Sequence, residues 1–375
     1  MGNSFLILAA LPVAFVTVAF VLLILVLFPV AFIAYILLKL HFNEINVNYK
    51  NKHVIVTGGS SGIGLAIAKL YVSYGAKVTI VGRDFSRLKA AEADIVAHAK
   101  QLNFVTDPKH FLATVSLDLS SSQQKVIDGF SPVLTSFGSC DVLVNCAGTS
   151  VAGAVEDLTE SDYRRMIEIN LYGSIFATRA VLPGMRLNKF GRILFVSSQL
   201  GQLGLHGYTA YCASKFALRG FAEALQMEVR PDDISVSLVY PPDTRTPGFE
   251  EEMKSKVCAS LQSVLKPHIL TQPELTKVLS ESGHVFSADE VAAAAVAGST
   301  AKQFHVSVGS VLDGWLLKNT QPGMSPVTNA AEAVQSILLP GICRTIGMGY
   351  LVYFDHLHQR CIQQAIRFIT IGLAA

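Results

Sequence analysis

Net charge and paired cysteines are both scarce in this chain. Its 375 residues carry 30 Lys and Arg against 28 Asp and Glu, a formal net charge of +2. That balance offers no electrostatic footprint for nucleic acid, and no stripe of basic and aromatic residues replaces it. The six cysteines, at 140, 146, 212, 258, 343 and 361, show neither CxxC spacing nor a paired framework. A disulfide scaffold and a cysteine-built metal site are therefore set aside, and reduced thiols facing a cytosol are the expectation. No internal repeat is evident.

Charge is missing altogether from Phe5 to Leu38, where Leu, Val, Ala, Phe and Ile dominate. About 20 apolar residues cross a bilayer, so the run is long enough for one helix, limited or kinked at Pro12 and Pro29. It is marginal for a two-span hairpin. A cleaved signal peptide is disfavoured, because the basic leader is missing and the apolar run is too long. Lys39, Lys50 and Lys52 follow the run, which places the remainder on the cytosolic side by the positive-inside rule. Near the other end, Val334 to Phe354 is interrupted by Pro340 and a single charge, Arg344. An arginine at mid-bilayer is expensive, so an interfacial segment is preferred there, with a true span as the alternative. Ala365 to Ala375 is apolar enough to pack beside it. The resulting division is 1–49 anchor and linker, 50–325 catalytic domain with a lid at about 249–287, and 326–375 membrane-associated tail.

Between these ends the chain alternates short apolar strands with helical stretches. His53-Val-Ile-Val-Thr57 runs into a TGxxxGxG pattern with Gly58, Gly62 and Gly64, and Leu65 to Tyr74 then reads as a helix. Glycines there let backbone approach a pyrophosphate whose charge rests on the helix N-terminus. Ser60, Ser61 and Ile63 belong to the same loop. Further strands are expected at Lys77–Val81, Ala113–Leu117, Asp141–Asn145, Gly191–Ser198 and Ile234–Tyr240. This order predicts an α/β fold, a doubly wound parallel sheet of the Rossmann type. Ligands of such sheets bind beyond the strand C-termini, where Gly58, Arg83, Asp118, Asn145 and Ser198 fall.

The second strand ends in Gly82-Arg83-Asp84. An NAD site usually carries an acid at this point, whereas a fixed cation suits a 2′-phosphate. NADPH is therefore the expected cofactor, although Asp84 is able to pair with Arg83 or reach the ribose. Asp118 and Leu119, after the third strand, are placed to meet the adenine. Tyr211 and Lys215 stand four apart, on one face of a helix. A lysine charge is expected to lower the phenol's pKa toward neutrality. Tyr240-Pro-Pro-Asp-Thr244-Arg-Thr246-Pro-Gly248 predicts a turn over the nicotinamide, with Thr244 or Thr246 bonding its carboxamide. The run Glu250-Glu251-Glu252 reads as a solvated helix start, or as an attractor for an amine-bearing substrate.

With Thr57-Gly58…Gly62-Ile-Gly64, Asn145-Cys-Ala147-Gly148, Asn170, Ser198 and Tyr211…Lys215 assembled, residues 50 to 300 resemble the short-chain dehydrogenase/reductase family. The family's serine precedes its tyrosine by thirteen residues, which selects Ser198 over Ser197. Cys146 departs from the second asparagine common at its place. The resemblance implies that Tyr211 is the general acid, that Lys215 favours the phenolate and bonds the ribose, and that Ser198 polarises the carbonyl. It further implies that Asn170 holds a water for proton resupply. Dimers or tetramers are also implied.

Ser197–Leu205, Ala224–Glu228, Tyr240–Phe249, Gly323–Thr328 and Cys343–Cys361 are similar to family members that reduce long-chain lipid ketones. The expected setting is the endoplasmic reticulum membrane, with the catalytic domain toward the cytosol and a lipid ketone entering laterally. A membrane-anchored reductase of a steroid or retinoid is the rival within the family. A catalytically idle scaffold is the rival outside it.

Overall fold

Val54, Ile55 and Val56 have no solvent exposure, because helices cover both faces of the strand that contains them. That arrangement belongs to parallel sheets, whose strands read as continuous apolar runs. The structure, a computed structural model, describes residues 48–102, 107–252 and 285–309. The expected membrane segments at 5–38, 334–354 and 365–375 lie outside those residues, as do lid residues 253–284 and Cys258, Cys343 and Cys361. Among the described residues, no helix is long and apolar enough to cross a membrane, and Cys140, Cys146 and Cys212 are free thiols.

Strands β1 (His53–Thr57), β2 (Lys77–Gly82), β3 (Leu112–Ser116), β4 (Val142–Asn145), β5 (Gly191–Val196) and β6 (Ile234–Tyr240) alternate with helices. The helices are α1 (Gly62–Ser73), α2 (Phe85–Gln101), α3 (Gln123–Phe137), α4 (Glu160–Ile167), α5 (Gly173–Asn188) and α6 (Thr209–Val229). A short pair, β7 (Thr244–Arg245) and β8 (Phe286–Ser287), precedes α7 (Ala288–Thr300) and β9 (His305–Ser307). The main sheet is parallel, in the order β3-β2-β1-β4-β5-β6-β9. Strand order reverses between β1 and β4, the switch point at which such folds open a crevice.

Six of these seven strands are legible in sequence to within two residues. The seventh, β9, is only three residues long and holds one valine between His305 and Ser307, too little for any periodic signal. It is held by α7: a Cβ on Gly298 would stand 2.5 Å from Val306 Cγ2, so only glycine lets helix and strand meet. Arg192, buried on β5, donates at 2.8 Å to the Ser299 carbonyl and ties the same helix to the sheet. The β7–β8 pair replaces part of the turn expected after β6, and residues 247–252 are helical.

Candidate active site

Thr57 ends β1 with its hydroxyl shared by β4. It donates to the Val144 carbonyl at 3.2 Å and accepts from the Cys146 and Ala147 amides at 3.0 and 3.2 Å. The chain then turns through Gly58 at φ +65, where a Cβ would sit 2.9 Å from Ala147 Cα. A Cβ on Gly64 would stand 2.3 Å from the Gly58 carbonyl oxygen. Glycine is required at both positions by close backbone approach. The turn presents the start of α1, whose N-cap Ser61 makes no side-chain cap. By contrast α2, α3, α4 and α7 are capped by Asp84, Ser122, Thr159 and Ser287. The first-turn N–H groups of α1 thus suit a phosphate anion, and a dinucleotide fits this cradle.

Ser60 packs against the end of β2, its hydroxyl 3.2 Å from a Cβ built on Gly82. Ile63, in the first turn of α1, is half-buried. Arg83 is exposed and makes no ion pair among the described residues. Asp84 does not pair with it. Its carboxylate caps α2, accepting the Arg87 amide at 3.0 Å, and lies 3.9 Å from the Arg87 guanidinium. Asp118 lies at the mouth of β3 and accepts from the Ser120 amide and hydroxyl at 3.0 and 2.7 Å. Leu119 is buried behind it.

Asn170 sits in a π-helical turn, Glu168–Tyr172, between α4 and α5. Such turns re-aim side chains, and here the amide grips both backbone groups of Thr149. It accepts from the Thr149 N–H at 2.9 Å and donates to its carbonyl at 3.0 Å. It also donates to the Ser214 hydroxyl at 2.9 Å, which in turn donates to the Tyr211 carbonyl at 2.7 Å. A Cβ on Gly148 would lie 3.2 Å from Asn170 Oδ1 and 3.6 Å from Lys215 Nζ. Asn145, behind this loop, donates to the Thr178 hydroxyl at 3.3 Å.

Lys215 is 5% exposed. Its Nζ donates at 2.9 Å to the Val196 carbonyl and stands 5.6 Å from the centre of the Tyr211 ring. Burial drives its pKa down to about 8, against a smaller opposite effect from Cys146. Ser198, just after β5, accepts from the Leu200 amide at 3.1 Å, and its influence on the Tyr211 phenol is to lower its pKa. Ser197 points the other way: its hydroxyl is buried without a partner, beneath Gly201.

The expected drop in the phenol's pKa is not found. Burial of the Tyr211 hydroxyl raises its pKa above the ordinary tyrosine value, Ser198 opposes this, and the charge of Glu252 adds to the rise. Tyr211 as a whole keeps partial solvent access. Burial also pushes the Cys146 thiol up to about 12, which keeps it protonated.

The segment after β6 completes the crevice. Thr244 is buried on β7, its hydroxyl donating to the Pro242 carbonyl at 2.8 Å. Thr246 touches the glycine loop: a Cβ on Gly62, at φ +53, would stand 2.9 Å from Thr246 Cγ2. Its hydroxyl accepts from the Phe249 amide at 3.1 Å. Glu252 departs from the solvated helix start read in sequence. It is partly buried and accepts hydrogen bonds from the Ser150 and Tyr208 hydroxyls. Ser150 and Tyr208 escaped sequence reasoning, because nothing local ties them to residue 252.

A parallel sheet with a glycine-lined crevice and a Ser–Tyr–Lys constellation at its switch point defines a nucleotide-dependent oxidoreductase. The short chain dehydrogenase family model matches residues 52–256, and the chain belongs to that family. It is 40% identical to the 3-ketodihydrosphingosine reductase of Bos taurus, over 86% of this chain and 90% of the relative. It is 42% identical to the 3-dehydrosphinganine reductase of Danio rerio, over 83% and 87%. Among solved structures, levodione reductase superposes with a TM-score of 0.59 at 23% identity, covering 69% of this chain and 96% of that one. That likeness concerns the fold.

Proposed function

We propose that this chain reduces 3-ketodihydrosphingosine to dihydrosphingosine with NADPH. The observation that carries the reading is the buried Lys215 standing 5.6 Å from the centre of the Tyr211 ring, with Ser198 at the adjoining end of β5, in a chain similar along more than four-fifths of its length to reductases named for that ketone. The glycine loop with Ser60, Ser61 and Ile63 holds the pyrophosphate. Arg83 meets the 2′-phosphate, and the use of Asp84 as a helix cap removes the competing acid. Asp118 and Leu119 flank the adenine, while Asn145, Ala147, Gly148, Thr244 and Thr246 line the nicotinamide side.

When bound, the nicotinamide supplies a hydride to the carbonyl carbon. Tyr211, kept protonated by its burial, gives its proton to the carbonyl oxygen as general acid. Ser198 holds that oxygen by a hydrogen bond and stabilises the charge developing on it. Lys215 provides the positive charge behind the phenol and a donor for the ribose hydroxyls. The proton is replaced past Lys215 and Asn170.

The proposed setting is the endoplasmic reticulum membrane, with the catalytic domain in the cytosol, anchored by residues 5–38 and contacted by the tail. Glycosylation acceptors placed at either end of 5–38 report that topology. A homo-oligomer belongs to the same reading and is read by light scattering. The deciding experiment follows NADPH oxidation by the full-length protein with 3-ketodihydrosphingosine beside a steroid and a retinoid ketone. Turnover of the sphingoid ketone alone is expected. Turnover of the steroid or retinoid alone would transfer the chain to the rival substrate class.

A further inference from the structure

Gly201 has no torsional reason to be a glycine. Its φ lies outside the left-handed region that Gly58 and Gly62 occupy, so a residue with a side chain can adopt its backbone. Space is what excludes one. A Cβ built there would stand 2.5 Å from Ser197 Oγ, 3.2 Å from the Lys215 carbonyl oxygen and 3.4 Å from Lys215 Cβ. The residue closes the short 3-10 turn Gln199–Gly201, which Ser198 caps. The backbone of that turn therefore lies directly against the part of α6 that carries Lys215, one helical turn beyond Tyr211.

Turn and helix are held by separate contacts. On the side of the turn, the Ser197 amide donates to the Val239 carbonyl at 2.8 Å and the Gln199 amide to that of Pro241 at 3.2 Å. The Gly201 amide donates to the Ser198 carbonyl at 2.9 Å, and the Leu200 amide to the Ser198 hydroxyl at 3.1 Å. On the side of the helix, Lys215 Nζ reaches the Val196 carbonyl at 2.9 Å. Ser198 is thus fixed to the sheet and Tyr211 to the helix, and the reach between them follows from how closely the two bodies approach. Gly201 lies at that approach. The Ser197 hydroxyl, buried and without a hydrogen-bond partner among the described residues, fills the space a Cβ would need.

We propose that Gly201 is a positioning residue for the reduction: by letting the Ser198 turn touch the Lys215 turn of α6, it sets the reach from Ser198 to Tyr211 across the reacting oxygen. Ser197 is its packing partner. This rests on the roles given above to Ser198, Tyr211 and Lys215, and not on which ketone is reduced. A methyl at 201 is admitted if the Ser197 hydroxyl turns aside or if the turn lifts from α6. The Lys215 carbonyl is backbone and does not turn aside, so some lift follows in either case. A misplacement of about 1 Å at reacting groups costs on the order of 10²-fold in rate.

The test measures kcat, KM and the pH profile of full-length G201A, S197A and the double variant with NADPH, using whichever of the three ketones named above wild type reduces. S197A should lose little. G201A should lose about 10- to 100-fold in kcat per folded molecule, with KM and NADPH affinity within about threefold of wild type. Lifting the turn admits water to Lys215, so the alkaline limb of kcat/KM should move up from near 8. The double variant lacks the nearest obstructing atom and should recover part of the lost kcat, a coupling expected of residues in contact. If G201A does not fold, the double variant is compared with S197A in the same way. Full kcat with an unmoved limb in G201A would overturn the proposal. So would a loss that disappears once rates are corrected for the folded fraction, since that marks a merely structural glycine. A wild type active on the steroid or retinoid alone would sink the sphingoid reading, while the G201A comparison would still decide the positioning.

Discussion

Lys215 Nζ stands 5.6 Å from the centre of the Tyr211 ring, yet it donates its hydrogen bond, at 2.9 Å, to the Val196 carbonyl at the end of β5. Lys215 is thus tied to the sheet as well as to the helix that carries both residues. Burial acts on the two in opposite directions, lowering the lysine and raising the tyrosine, because in each it disfavours the charged form.

The first prediction follows from the lysine. With its pKa near 8, Lys215 is charged at pH 7 and loses its proton as pH rises through that value. The kcat/KM for ketone reduction should fall with an apparent pKa near 8, and K215M should show no such limb. The stability effect has the opposite sign. Between about 8 and the ordinary lysine value of about 10.4, the unfolded chain binds the extra proton, so cofactor-free wild type gains stability with rising pH. The gain relative to K215M is about 3 kcal/mol. Denaturant titration at pH 7 and pH 10 measures it.

Tyr211→Phe removes the transferable proton while preserving the ring. Reduction should drop by about 10²–10⁴-fold, with NADPH affinity, followed by fluorescence, within about threefold of wild type. Ser198→Ala should lose about 10²–10³-fold, whereas Ser197→Ala, whose hydroxyl points away from the phenol, should lose little.

Arg83 is exposed and lacks an ion pair among the described residues, so its replacement leaves no buried charge behind. Arg83→Ala should weaken NADPH binding by about 10- to 100-fold and leave NADH binding nearly unchanged. Equal losses for both cofactors would contradict a 2′-phosphate contact.

Gly64→Ala places a methyl 2.3 Å from the Gly58 carbonyl oxygen, and backbone must move to admit it. A loss of about 1–3 kcal/mol of stability is expected, together with a larger loss of NADPH affinity, because the displaced atoms form the pyrophosphate cradle. Thermal melting with and without NADPH separates the two effects.

Asn170→Ala leaves the Thr149 N–H, the Thr149 carbonyl and the Ser214 hydroxyl without their shared partner. The expected penalty is about 2–4 kcal/mol, read by denaturant unfolding. Asn170→Asp keeps the acceptor for the Thr149 amide and should recover part of it.

Much of this molecule is written locally. His53–Thr57 and Ile234–Tyr240 are strands in sequence and in structure alike, because a continuous apolar run flanked by turn residues has few other solutions. The glycine spacing is equally legible: close approach of backbone to backbone excludes other residues. The thirteen-residue separation singles out Ser198, and in the structure the Ser197 hydroxyl is buried without a partner while Ser198 accepts from the Leu200 amide. Elements of two or three residues, such as β8 and β9, carry no readable period and form only where α7 and the neighbouring strand present partners.

The chain by itself determined the order of strands and helices, the glycine turn, and which side chains stand at the strand ends, since each depends on contacts within a few residues. Tertiary structure alone decided the charge state of Tyr211 and Lys215 and the capture of Glu252 by Ser150 and Tyr208. Those outcomes depend on burial and on groups far apart in sequence. Desolvation and long-range electrostatics have no local signature for a sequence to display.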